Sequence, residues 1–264
     1  MTARAAPPGA PLAPGVVAAY LERIGHEPVT RPDVAALASL QDHHVRSVAF
    51  ENLDIHLGQP LSLELDDLAA KVIDRRRGGF CYELNGLFCA LLQSLGFRAW
   101  LVEARTREGD GTLGPRFDHA RILVAPDEGL LLADVGTGVS PRGPIRLHDR
   151  PQPVGPLEFR VRSDGERFDS ERADGDAWSA DWSFDTHPRD LAEFEPRCRY
   201  HETSPESHFT HKPLATLVTT DGHVTLADRH LITVRHGERH EESVDDPLAV
   251  LAEVFAMDLP SWPG

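Results

Sequence analysis

Lysine is nearly missing: Lys71 and Lys212 are the only two, and arginine carries the rest of the positive charge. No basic cluster occurs, and 27 Lys plus Arg against 42 Asp plus Glu leave a formal net charge of −15. That balance argues against a partner such as nucleic acid or an anionic membrane. Cysteine is scarce as well. Cys81, Cys89 and Cys198 form an odd set with no C-x-x-C pair. Neither a disulfide scaffold nor a thiolate zinc site is expected, and a reducing cytoplasm is the expected setting. No apolar run approaches the ~18 residues of a membrane span. The Pro- and Ala-rich start, Met1 to Gly15, does not read as a signal peptide. His43-His44 and the set His201, His208, His211 match no ligand spacing, so no metal is expected.

The chain has 264 residues, 41% of them hydrophobic, which is enough for a substantial core. After a tail over residues 1–15, helical spacing runs from Val16 to Gly25, over about 32–45, and around Leu65–Asp74. The clearest element follows Gly78-Gly79. Leu84, Leu87, Phe88, Leu91, Leu92 and Leu95 line one face of a helix that Gly96 ends. Beyond Gly96 the texture turns to strands: 97–107, 117–125, 129–136, 157–163 and 214–237, with turns at 126–129 and at Asp221-Gly222. The acidic run 169–182 reads as a solvated loop, and 247–255 as a closing helix.

Chemistry concentrates at Cys81. A cysteine opening a helix feels the positive end of the helix dipole and the free N–H groups of the first turn, which favour the thiolate. Gly78 and Gly79 before it permit a tight turn and close approach of a substrate to the backbone. His119 and Asp134 lie on two strands nearly equidistant from the turn at 126–129, which puts them directly or diagonally opposite, roughly 4.5–8 Å apart. Asp134 holding one imidazole nitrogen leaves the other for the thiol. Each residue has a plainer use: Cys89 is core, a lone His119 is structural, Asp134 alone is a turn residue. The three together point to nucleophilic catalysis.

The segment R-R-G-G-F-C-Y-E-L-N-G-L-F (76–88) resembles the nucleophile motif of the arylamine N-acetyltransferases. The resemblance continues in order through YLERIG (20–25), AFENLDI (49–55), DHARILV (118–124), DVGTG (134–138) and SPESHFTHKPLATL (204–217). It implies an α+β fold with a papain-like Cys-His-Asp arrangement: a helical bundle over 16–96 carrying the nucleophile, a central antiparallel β-barrel-like domain over 97–200 carrying His and Asp, and an α/β lid over 201–264. It also implies ping-pong transfer of an acetyl group from acetyl-CoA through a Cys81 thioester to an arylamine or arylhydrazine. Acetyl-CoA is then a co-substrate, and no tightly bound cofactor is implied. By family position Ser204, Ser207 and Phe209 border the CoA or acceptor cleft, though Ser204 reads equally as a structural cap. Phe50 is a candidate for the acceptor pocket or for the core. Two departures stand out: Ala49 replaces the usual Pro of P-F-E-N-L, and Thr137 replaces a Phe or a small residue, which implies a roomier pocket with a hydroxyl in it.

The nearest alternative shares this machinery: an amide synthase that takes a polyketide chain from an acyl carrier protein and closes a macrolactam. An alternative of another class is a non-catalytic binding protein on the same fold, against which the intact triad argues.

Overall fold

The computed structural model describes residues 11–108, 110–175 and 177–263. Of the expected tail, residues 1–10 lie outside the described residues. Helix α1 (Pro14–Arg23) begins slightly earlier than expected, with proline in its first turn, where a missing N–H costs nothing. Leu12 already packs on the helical core, its N–H on Ser94 Oγ at 2.8 Å. Helix α2 (Val34–Ser47) is capped by Asp33, whose side chain accepts from Ala36 N at 2.9 Å. A two-residue strand β1 (Phe50–Glu51) and a single turn α3 (Leu53–His56) follow. Helix α4 (Leu65–Ala69) runs on as a wider π-turn over Ala70–Asp74. Helix α5 (Cys81–Ser94) is buried along its length from Cys81 to Leu92, the place a helix with apolar residues on most sides must take.

Eight antiparallel strands come next in the order β5-β4-β3-β2-β9-β8-β7-β6. They are β2 (Ala99–Thr106), β3 (His119–Val124), β4 (Leu131–Ala133), β5 (Ile145–Arg146), β6 (Gln152–Val154), β7 (Leu157–Ser163), β8 (Phe168–Asp174) and β9 (Ala177–Phe184). The sheet curls nearly closed, with Val161 N on His148 O at 2.8 Å joining β7 to the segment after β5. Period-2 alternation sorts its side chains. Ala120, Ile122 and Val124 of β3 pack on the helices, while Leu123 points into the barrel with Trp100, Val102, Leu132 and Phe184.

The acidic run 169–182 is not a loop. It forms most of β8 and β9, which turn at Gly175 (φ +59°). The acids are outward rungs that find arginines: Asp169 takes Arg107, and Glu171 takes Arg160. Between them Ser170, Trp182 and Phe184 face inward, an alternation that the charge count concealed.

Helix α6 (Glu195–Thr203) leads to a second sheet, β1-β10-β11-β12-β13, with β10 (Leu214–Val218), β11 (Gly222–Ala227), β12 (His230–Arg235) and β13 (Glu238–Ser243). Strand β13 was not expected from its charged sequence. It forms because His236 and Gly237 both take positive φ (50° and 84°), the two-residue turn that folds a strand back on its neighbour. Helix α7 (Pro247–Phe255) covers this sheet through Leu251 and Phe255. The pairing of Phe50 with Thr216 stitches the N-terminal helices to the C-terminal sheet.

Candidate active site

Cys81 is the first residue of α5 and is 3% exposed. Its helix is anchored from below. Phe80 N donates to Glu83 Oε2 at 3.0 Å, and Lys71 holds Glu83 (2.8 Å) and Asp54 (2.7 Å). Arg77 bridges Glu51 and Asp54, each at 2.8 Å. The two glycines before Cys81 serve the chain itself. A Cβ on Gly78 would meet Ala49 O at 2.0 Å, and one on Gly79 would meet Glu83 Oε2 at 2.8 Å. Close packing, and not approach of a substrate, accounts for both.

Strand β3 passes the thiol, and the backbone N–H of Ala120 favours its ionised form. On the opposite face of that strand, His119 Nε2 lies 2.7 Å from Asp134 Oδ2. The β3–β4 register pairs Ile122 with Ala133, so His119 sits diagonally across from Asp134, and Arg121 sits directly opposite. Four donors fix the Asp134 carboxylate. Oδ2 takes His119 and Arg121 Nε (2.9 Å); Oδ1 takes Asn85 Nδ2 (2.9 Å) and Gly136 N (3.0 Å). Burial alone would raise this carboxyl, but the His119 and Arg121 charges and the hydrogen bonds outweigh it and hold it far below the usual range.

Asn85, Arg121 and Trp182 escaped sequence reasoning. Asn85 is four residues on from Cys81, hence on the same helix face. It donates to Ala120 O (2.7 Å) and accepts from Val135 N (2.9 Å), which fixes its amide orientation. Arg121 is two residues on from His119 and also donates to Ser170 Oγ at 2.6 Å. The Trp182 ring stacks on His119 at 4.4 Å and 25°, walling the imidazole from the barrel side. Spacing signalled the first two. Trp182 lay in the run taken for a loop.

Burial works against the thiolate expected at this helix terminus. It pushes the Cys81 thiol well up, the Asp134 and Asp118 charges add to this, and the Ala120 N–H pulls it down. With Asp134 on Nε2, Nδ1 is the His119 nitrogen left open to take a proton. Arg121 keeps the surroundings neutral, cancelling Asp134 before and after that transfer.

Of the candidates for substrate contact, three gather near Cys81. Phe50 bridges Gly79 and faces Phe209 at 6.1 Å; Phe209 in turn packs on Phe80 at 5.5 Å. Thr137 follows Gly136, whose position leaves no room for a side chain beside Cys81 Cα. Its hydroxyl is engaged by Ser140 Oγ at 3.1 Å, so it is not a free group in the pocket. Ser204 ends α6 and accepts from Glu206 N, and Ser207 is buried and caps Phe209 N, so both serve the chain. The pocket of about 370 Å³ lined by Leu61, Gly86, Cys89, Arg189 and Cys198 opens along another face of α5 and includes none of the triad. Among the described residues, no three His, Cys, Asp or Glu side chains gather as metal ligands. Nor, among them, is any helix long and apolar enough to cross a membrane.

The N-acetyltransferase family model matches residues 33–262. The arylamine N-acetyltransferase of Mycolicibacterium smegmatis is 34% identical over 250 residues, covering 91% of each chain. The solved arylamine N-acetyltransferase of Salmonella typhimurium superposes with a TM-score of 0.87 at 28% identity, over 92% of this chain and 91% of that one. That of Mycobacterium marinum, solved in complex with CoA, gives a TM-score of 0.84 at 30% identity, over 91% and 92%. A helix-borne cysteine beside a His–Asp pair on a nearly closed barrel, with this likeness along nine-tenths of its length, marks a chain that belongs to the arylamine N-acetyltransferase family.

Proposed function

We propose that the protein transfers an acetyl group from acetyl-CoA to an aromatic amine or hydrazine by a ping-pong route through Cys81. The single observation that carries this reading is the His119–Asp134 pair at 2.7 Å, held where Gly136, two residues on from Asp134, packs directly against Cys81. His119 accepts the Cys81 proton, and the thiolate adds to the acetyl carbonyl. First-turn N–H groups of α5 have no intrahelical acceptor and lie beside the developing oxyanion. The CoA thiolate leaves and takes a proton from the imidazolium. The exchange of one thioester for another is nearly balanced in energy, so the acyl group stays activated. An amine then attacks, His119 takes its proton and passes it to the Cys81 sulfur as the C–S bond breaks, and the amide departs from the free thiol.

Phe50, Phe209 and Thr137 are the residues assigned to the acceptor side, with Phe209 an aromatic wall. The barrel interior and the C-terminal sheet have cores of their own, which supports divisions near residues 96 and 200, although the helical core also takes in one face of β2 to β4 and β1 joins the C-terminal sheet. Three free cysteines support a cytoplasmic setting. A carrier-bound polyketide donor gains no support from the relatives named above, all of them acetyltransferases.

Steady-state kinetics test the route. Varying acetyl-CoA at several amine concentrations gives parallel double-reciprocal lines, and Cys81→Ala has no turnover with its fold intact. Turnover by that variant would rule out the covalent route.

A further inference from the structure

Asp118 and His119 are neighbours on the chain but serve different histidine–carboxylate pairs. While His119 holds Asp134, the Asp118 side chain points toward α6. There its Oδ1 takes Arg197 Nε (2.8 Å) and Nη2 (2.6 Å) and lies 3.3 Å from His201 Nε2. That last contact is within ion-pair reach but off the line of a well-directed hydrogen bond, and Nε2 is buried with no hydrogen-bond partner among the described residues. The other nitrogen, Nδ1, is 3.0 Å from Ser207 Oγ. Ser207 Oγ accepts in turn from Phe209 N at 3.3 Å. His201 is 3% exposed and Ser207 2%, so neither is placed to touch substrate.

A buried imidazole with polar neighbours on both sides costs more than an apolar side chain in the same space unless those contacts do something. The groups at its two ends suggest what. One end is the entry to β3, where Phe117 takes φ +58°, a left-handed conformation that a bulky residue adopts only when held. Tyr82 OH donates to Phe117 O at 2.8 Å, and Asp118 is the next anchor. The other end is Phe209, wedged between Phe50 and Phe80 and met edge-on by the His201 ring at 5.1 Å.

We infer that His201 is a positioning residue for the acceptor half of the reaction, tying the strand that presents His119 to the turn that presents Phe209 through Asp118 and Ser207. This rests on the acetyl-transfer reading and deepens it. His119 is held independently by Asp134, so the chain of contacts chiefly places the Phe209 wall against that strand, and bears on flat aromatic acceptors and little on the donor.

The test separates the two half-reactions. His201→Phe keeps the ring packing against Tyr82 and Phe209 but removes both polar contacts; Ser207→Ala removes one. Expected for both is acetylation of Cys81 by acetyl-CoA within about twofold of wild type, with KM for an arylamine such as p-anisidine raised about fivefold. KM for hydrazine, which has no ring to place, stays within about twofold. The double variant matches the more affected single one, because both act in one chain of contacts. Unchanged KM for the arylamine in both variants would overturn the inference, as would parallel loss in both half-reactions, which marks a merely structural role. Should His201→Phe fail to fold, Ser207→Ala decides alone. A wild-type protein that forms no acetyl-Cys81 overturns the acetyl-transfer reading itself, and this inference with it, before any variant is made.

Discussion

A thiol pushed up by burial becomes a nucleophile only when its proton has a destination, and at Cys81 that destination is His119. Iodoacetamide labelling against pH measures the arrangement directly. In the wild type the rate should rise well below the ~8.5 of a free thiol, because the thiolate and imidazolium form as a pair. With His119→Gln the burial effect is left alone and the rise should move above that value. A wild-type rise at or above the free-thiol value would remove the ion pair from the account. Residue identity was the most legible level in the sequence. Cys81, His119 and Asp134 announce a chemical role by type and spacing, but only as a set. Asn85 and Arg121 sit at helix and strand repeats of those residues, and their roles depend on which way each element faces.

Elements bring the site together by approaching closely at one glycine. A Cβ on Gly136, just past β4, would lie 2.5 Å from Asn85 Nδ2 and 2.7 Å from Cys81 Cα. Gly136→Ala should therefore push α5 and the Asp134 loop apart, lowering kcat/KM about a hundredfold. The fold should survive with a modest drop in melting temperature, since only the loop must yield. Activity within twofold of wild type would show that the contact is not demanding. At this scale the sequence was legible where apolar alternation was clean, as in β7, and where caps were explicit, as in α2 and α7. It misled at β8 and β9, where outward acids outnumber inward apolar groups, and at β13, where turn geometry and an open sheet edge override composition. The misreading of β9 is what hid Trp182, whose position depends on a sheet built from distant strands.

Across the whole molecule, stability should carry a signature of histidine buried without charge. His44 on α2 is fully enclosed, and Tyr20 OH lies 2.9 Å from its Nδ1. Burial, with the Arg23 charge nearby, pulls its pKa down to about 3. The unfolded chain takes up this proton near pH ~6.5 and the folded one does not. The contribution of His44 is thus present above that pH and fades as pH falls toward the folded value. Urea unfolding of wild type and His44→Gln should show a stability difference that shrinks by up to ~1.4 kcal/mol per pH unit below pH ~6. A difference that is flat between neutral and acid pH would mean that His44 charges equally in both states. Global architecture was legible in order, helices then barrel then sheet and helix. The crossing of β1 into the C-terminal sheet was not, because a two-residue strand has no periodicity to read.

Acetyl transfer by this protein requires that Cys81 accept an acyl group. Intact-protein mass spectrometry after brief incubation with acetyl-CoA, without amine, addresses that point alone. The account predicts one acetyl adduct, located at Cys81, that disappears when an arylamine such as p-anisidine is added. A protein that stays unmodified while Cys81 still reacts with iodoacetamide would contradict it.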